Sequence, residues 1–204
     1  MNLFQEAVTV GFVRASYRLS IYDSLYKEIS EKERMYLQAY RSFESRYDSL
    51  LGLLLARQLS GACVNLVHDV KGKPVMKGSE KEISITHSSG ITAAVVSPWR
   101  IGIDLEKNVE EKAGRRMLAA AGQSLLHSFP FTVLWTRTEA YAKMIGCGFK
   151  EDPALLFQEA AAPRSRWNFH TECFDKDMVL TICSEKPAFF QLKECFEDTV
   201  LQNK

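Results

Sequence analysis

Two segments of this chain carry residue types that can do chemistry together: IGIDLE at 101–106 and WTRTEAYAK at 135–143. The first alternates apolar and polar residues, as a half-buried strand does. Ile101, Ile103 and Leu105 point one way, and Asp104 and Glu106 the other. The second predicts a helix on which Trp135, Glu139 and Lys143 recur at i, i+4 and i+8 and form one stripe. Two carboxylates from a strand and a third from a helix, with a lysine one turn on, make an oxygen-ligand site for a hard cation. Magnesium beside a phosphate substrate takes one or two carboxylates and leaves other positions to water and phosphate oxygens. Each segment alone has a plainer reading. An isolated D-x-E on a strand is commonly a solvated face. Glu139 four residues before Lys143 is the favoured order for an exposed helical ion pair, worth only ~0.3–0.5 kcal/mol. Their occurrence together, in this order, is the specific signal.

The elements that must position these residues follow from periodicity and punctuation. Residues 4–14 predict a strand, and 30–47 a charged helix opened by a capping box, Ser30 with Glu33. An apolar helix over 49–60 ends near Ser60-Gly61, and Lys71-Gly72-Lys73-Pro74 marks a turn. Strands at 82–87 and 91–97 are joined through Ser88-Ser89-Gly90, a plausible hairpin. Ser97-Pro98 breaks the pattern before the IGIDLE strand opens a second half. A helix over 111–127 is broken by Pro130, and a helix over 132–145 stops at Gly146 and Gly148. Strands near 154–160, 166–173 and 177–184 complete the chain's pattern.

Composition narrows the class without naming a reaction. The 204 residues suffice for one large or two small domains with a full core. Hydrophobic content is 46% and charged content 25%, as in ordinary soluble globular proteins. A formal net charge of +1 gives no global field for nucleic acid, so attraction to an anionic partner must be local. The run LLGLLLA at 50–56 is too short to span a bilayer, and no secretory signal is evident at the N-terminus. Five scattered cysteines without a C-x-x-C suit free thiols in a reducing cytoplasm. The expectation is a cytoplasmic monomer that binds neither nucleic acid nor membrane.

In this order, the two segments resemble the signature of the 4′-phosphopantetheinyl transferases: (I/V)-G-(I/V)-D-x-E, a spacer, then W-(S/T)-x-K-E-(A/S)-x-x-K. The resemblance extends upstream. ISITHSSGITAAVV at 83–96 looks like the family's strand–S-H-S–strand element, GKP at 72–74 like its coenzyme A turn, and SLLGLLLAR at 49–57 like the N-terminal helix of the longer, surfactin-synthetase-activating class. The similarity spans roughly residues 30–185. It implies an α/β (α+β) fold: a pseudo-dimer of two similar halves, each a small, mainly antiparallel sheet packed on helices. Residues 1–98 would form a coenzyme A-binding half and 99–204 a metal-binding, catalytic half.

The resemblance further implies magnesium-dependent transfer of 4′-phosphopantetheine from coenzyme A to a serine of an apo acyl, peptidyl or polyketide carrier protein. Asp104, Glu106 and Glu139 would hold the magnesium. Glu139 and Lys143 would be catalytic, and either of them could be the base. His87, with Thr86 beside it, would touch a coenzyme A phosphate. Lys73 would lie against the nucleotide end, and Ser49 with Arg46 would meet the 3′-phosphate. His68, His127 and His170 match no motif. Carrier docking would fall to Arg115 and Arg116 beside Met117 and Leu118.

Departures from the pattern are equally specific. Thr138 stands where the family has the lysine of its K-E pair, and Cys147 where G-K-G has a lysine. MLAAAGQSLL at 117–126 replaces the usual aromatic pair and acid of a spacer that is short for the class. These changes remove cations near a polyanionic substrate. A lysine restored at 138 would be expected to tighten coenzyme A binding or leave it unchanged. They also admit an alternative: a degenerate relative that binds coenzyme A or a carrier without turnover.

Overall fold

Alternation along the first strand is matched by cover on both of its faces. In β1 (Ala7–Arg14), Val8, Val10 and Phe12 turn to one side and Gly11 and Val13 to the other. The computed structural model describes residues 7–61, 66–70, 72–107, 129–148, 152–162 and 165–199. Three helices follow β1: α1 (Leu19–Tyr26), α2 (Glu31–Gln38) and α3 (Phe43–Ser60). The capping box is present, with the Glu33 carboxylate accepting from the Ser30 N–H at 2.8 Å. The single helix expected over 30–47 is instead broken. Ser42 accepts from the Ser45 N–H at 3.0 Å, and that side-chain bond starts a new helix rather than prolonging the old one. α3 runs to Gly61, whose φ of 67° ends it.

A small hairpin, β2 (Leu66–His68) and β3 (Pro74–Met76), brackets the lysine-bearing turn. β4 (Glu82–Ser88) and β5 (Ile91–Ser97) are joined by Ser89 and Gly90 with φ of 50° and 77°, the two left-handed residues that a tight hairpin of right-twisted strands needs. The second sheet is built from β6 (Ile101–Lys107), β7 (Asn168–Phe174) and β8 (Met178–Ser184). Between β6 and β7 lie α4 (Phe131–Ile145) and α5 (Pro153–Ala161).

The strand expected near 154–160 is α5. Asp152 accepts from the Ala154 N–H at 2.9 Å, Pro153 occupies the first helical position, and Leu156, Phe157, Ala160 and Ala161 are buried at helical spacing. The helix expected over 111–127 lies outside the described residues.

The same strand–helix–hairpin order occurs twice. The first sheet runs β4-β5-β1 and the second β7-β8-β6, each hairpin adding its last strand antiparallel to the opening strand. α3 packs on the first sheet and α4 on the second. The inner faces share one core, in which Val8, Val10, Ile103, Leu105, Leu180 and Ile182 are at most 4% exposed. Each such side chain contributes roughly 1.5–3 kcal/mol by leaving water. The layers therefore run helix, sheet, sheet, helix. A last strand, β9 (Phe189–Cys195), crosses back and pairs in parallel with β1. A division at residue 98 thus separates the two sheets' opening strands but not all their strands. Among the described residues no helix is long and apolar enough to cross a membrane.

Candidate active site

The halves meet where β4 runs beside the free edge of β6, and side chains take the place of a neighbouring strand. Ser84, Thr86 and Ser88 alternate with Ile83, Ile85 and His87. The isoleucines face α3, and the hydroxyls face β6. Ser84 Oγ accepts from the Ile103 N–H at 3.0 Å, and Thr86 Oγ1 from the Leu105 N–H at 3.3 Å. Two buried donors on a sheet edge are satisfied in this way. Thr86 then donates to Asp104 Oδ1 at 3.1 Å and Ser88 to Glu106 Oε2 at 3.1 Å. The row of hydroxyls both seals the seam and aims the two carboxylates.

α4 crosses β6 at Gly102, where a Cβ would overlap the Ala140 carbonyl oxygen and stand 2.6 Å from the Met144 nitrogen. This close approach brings the helix's polar stripe over the strand's carboxylates. Lys143 Nζ donates to Asp104 Oδ1 at 2.6 Å across the gap, rather than serving as an exposed partner for Glu139. Asp104 is 3% exposed, and its Oδ2 is buried with no hydrogen-bond partner among the described residues. Burial pushes the Glu139 carboxyl up to about 7; Lys143 opposes this while Asp104 and Glu106 add repulsion. Burial also raises Glu106, with Asp104 reinforcing the shift.

Among the described residues no three His, Cys, Asp or Glu side chains stand close enough together to hold an ion. The Lys143 ammonium supplies the positive charge at Asp104. The donor set nonetheless suits a divalent cation. Oδ2 of Asp104 has no hydrogen-bond partner among the described residues, and three mutually repelling carboxyl groups lie on facing elements.

A cleft of about 220 Å³ opens beside this cluster, lined by Lys73, Pro74, Ser84, Ile85, Lys143 and Gly146 among others. A second, of about 130 Å³, shares Gly72, Pro74 and Ile85 with it and continues to Ser49, Tyr36, His68 and His87. Lys73 Nζ donates to Glu82 Oε2 at 2.5 Å and to the Met144 carbonyl at 3.4 Å, tying the turn to the end of α4. His87 is 41% exposed at its side chain. Its burial, with Lys143 nearby, holds the imidazole below its ordinary pKa, against the pull of Asp48 and Asp104. His68, which the sequence leaves without a role, stacks on Tyr36 with ring centroids 3.7 Å apart and walls the second cleft.

The remaining expected residues are used differently. Arg46 donates to the carbonyls of Tyr40 and Arg41 at 3.0 and 3.2 Å, so its guanidinium closes the α2–α3 corner. Thr86 is buried in the seam and reaches the cluster through Asp104. Thr138 is fully buried, with its hydroxyl bonded back to the Leu134 carbonyl at 2.8 Å. A lysine there would have to enter the interior, away from the clefts beside the cluster. Cys147 is likewise buried. Arg115, Arg116, Met117 and Leu118 lie outside the described residues. Sequence reasoning missed Asp48, Tyr17 and, apart from Thr86, the β4 hydroxyl row. The period-two run Ser84, Thr86, Ser88 between isoleucines is the signal that could have found the last. No family model matches the chain, and no curated protein matches it significantly.

Proposed function

We propose that this chain is a phosphopantetheinyl transferase, moving 4′-phosphopantetheine from coenzyme A to a serine hydroxyl of an apo carrier protein. The observation that carries the reading is the convergence, on one seam, of Asp104 and Glu106 from β6 with Glu139 and Lys143 from α4, beside two adjoining clefts, one lined by Lys73 and Lys143 and the other by Ser49 and His87. Magnesium would be held by Asp104, Glu106 and Glu139, where it would offset charge on the pyrophosphate oxygens.

The protein's own groups divide the remaining work. Lys73 and Lys143 line one cleft and His87 the adjoining one, and together they would accept a polyanion laid across both. Glu139 takes the proton of the incoming serine hydroxyl. The serine oxygen bonds to the phosphorus nearer pantetheine, the bridging P–O bond breaks, and adenosine 3′,5′-bisphosphate leaves with the electron pair. Lys143 donates to the oxygen on which charge develops.

Intact-mass analysis of a panel of apo acyl, peptidyl and polyketide carriers with coenzyme A and magnesium tests the reading. One phosphopantetheinyl mass on a carrier, absent in Glu139→Gln, is the expected result. Coenzyme A binding without any mass gain across the panel would overturn the enzymatic reading in favour of a binding protein.

A further inference from the structure

We propose that Asp48 is a positioning residue for His87: clamped by Tyr17, it draws imidazole Nδ1 inward and so points Nε2 at the cleft. The inference rests on the reading that His87 meets a phosphate of coenzyme A. Asp48 is on α3, 7% exposed, and Tyr17 Oη donates to both of its oxygens at 3.0 and 3.1 Å. That bidentate grip fixes the carboxylate plane. Oδ2 then faces His87 Nδ1 at 3.9 Å, an ion-pair distance that a small ring rotation turns into a hydrogen bond.

The clamp is built from a strained piece of chain. Tyr17 has φ of 54°, which a bulky side chain rarely adopts. It is held there by the β4–β5 turn: the Ala15 N–H donates to the Gly90 carbonyl at 2.8 Å, and a Cβ at Gly90 would stand 3.6 Å from the Tyr17 ring. Burial and the facing Asp48 raise Tyr17 to about 12, so its hydroxyl keeps the proton it donates. The groups acting on His87 are Asp48 from α3, Lys143 from α4 and Asp104 from β6; those acting on Asp48 are Tyr17, His87 and Glu44. Asp48 is the nearest acceptor to Nδ1 among them, and it lies on the side of the ring away from β6 and its carboxylates. A histidine so held carries its Nδ1 proton toward Asp48 when neutral. On meeting a phosphate it gains a second proton at Nε2, giving an imidazolium between two anions.

Long-range proton–nitrogen NMR on the nitrogen-labelled full chain reads both nitrogens directly. In the wild type, neutral His87 is expected to carry its proton on Nδ1. Asp48→Asn keeps the shape but turns an amide donor toward the ring, and the protonated-nitrogen signal is expected to move to Nε2. Tyr17→Phe, which deletes one hydroxyl, is expected to mix the two tautomers. Added coenzyme A should protonate both nitrogens in the wild type at neutral pH and leave Asp48→Asn with one proton. A wild-type ring already protonated on Nε2, or a Nδ1 proton untouched by both substitutions, would overturn the proposal. A wild type whose spectrum does not respond to coenzyme A refutes the reading of the cleft, while the tautomer measurement still decides on Asp48.

Discussion

Glu139 links folding to pH more directly than any other carboxyl in the cluster. Its folded pKa of about 7 stands above the ordinary 4.5, so the folded state holds a proton that the unfolded chain has already lost. Stability attributable to this group is therefore full below the ordinary value and falls as pH rises through about 7. Glu139→Gln removes the penalty. It is expected to match the wild type near pH 4 and exceed it at pH 8 by about 3 kcal/mol, while abolishing transfer. Thermal melts at the two pH values check this, and equal stability at pH 8 would remove the buried-carboxyl account.

Lys143 illustrates the same coupling from the cationic side. Its partner is the buried Asp104, so Lys143→Ala strands a carboxylate that keeps only its bond from Thr86. The expected cost is about 2 kcal/mol, reduced from the full buried-pair value because Lys143 is 30% exposed. Magnesium should restore part of the lost melting temperature by taking the ammonium's place. A variant as stable as the wild type without magnesium would mean that the pair holds nothing together.

At the scale of elements, the strand–helix contact at Gly102 decides whether the cluster assembles. Gly102→Ala places a methyl into the backbone of α4 at Ala140 and forces strand and helix apart. The expected loss is about 3 kcal/mol, with turnover falling even in the fraction that stays folded. Urea unfolding together with an activity assay separates the two effects.

Much of this architecture was legible in the sequence. The alternation of IGIDLE, the helical stripe of WTRTEAYAK, the Ser30 capping box and the stop at Gly61 each rest on local chemistry, and each is found. What was not legible depends on contacts far apart in the chain. Nothing near Thr138 says which side of α4 will be covered, and its neighbour Glu139 reaches the cluster while Thr138 is sealed. The apolar run at 154–160 is short enough to be strand or helix, and the Asp152-Pro153 start resolves it. β9 pairs with a strand from the other end of the sequence, and no local pattern encodes that choice.

At the scale of the molecule, a formal charge of +1 would leave recognition of the proposed acidic carrier to a local patch. Reversing Arg115 and Arg116 together is expected to raise the KM for the carrier severalfold at low salt, with the KM for coenzyme A unchanged. Steady-state kinetics at two ionic strengths check this, and unchanged carrier kinetics would place docking on another surface.

The pairing of β9 with β1 also sets an order of assembly. Ala7 meets Phe189 and Val13 meets Cys195, so one edge of β1 stays without a neighbour until almost the whole described chain has been made. A ribosome delivers β1 long before its partner β9. Until β9 is made, the nascent protein carries an unpaired edge on a strand whose face holds Val8, Val10 and Phe12, the kind of surface that chaperones cover and aggregates recruit.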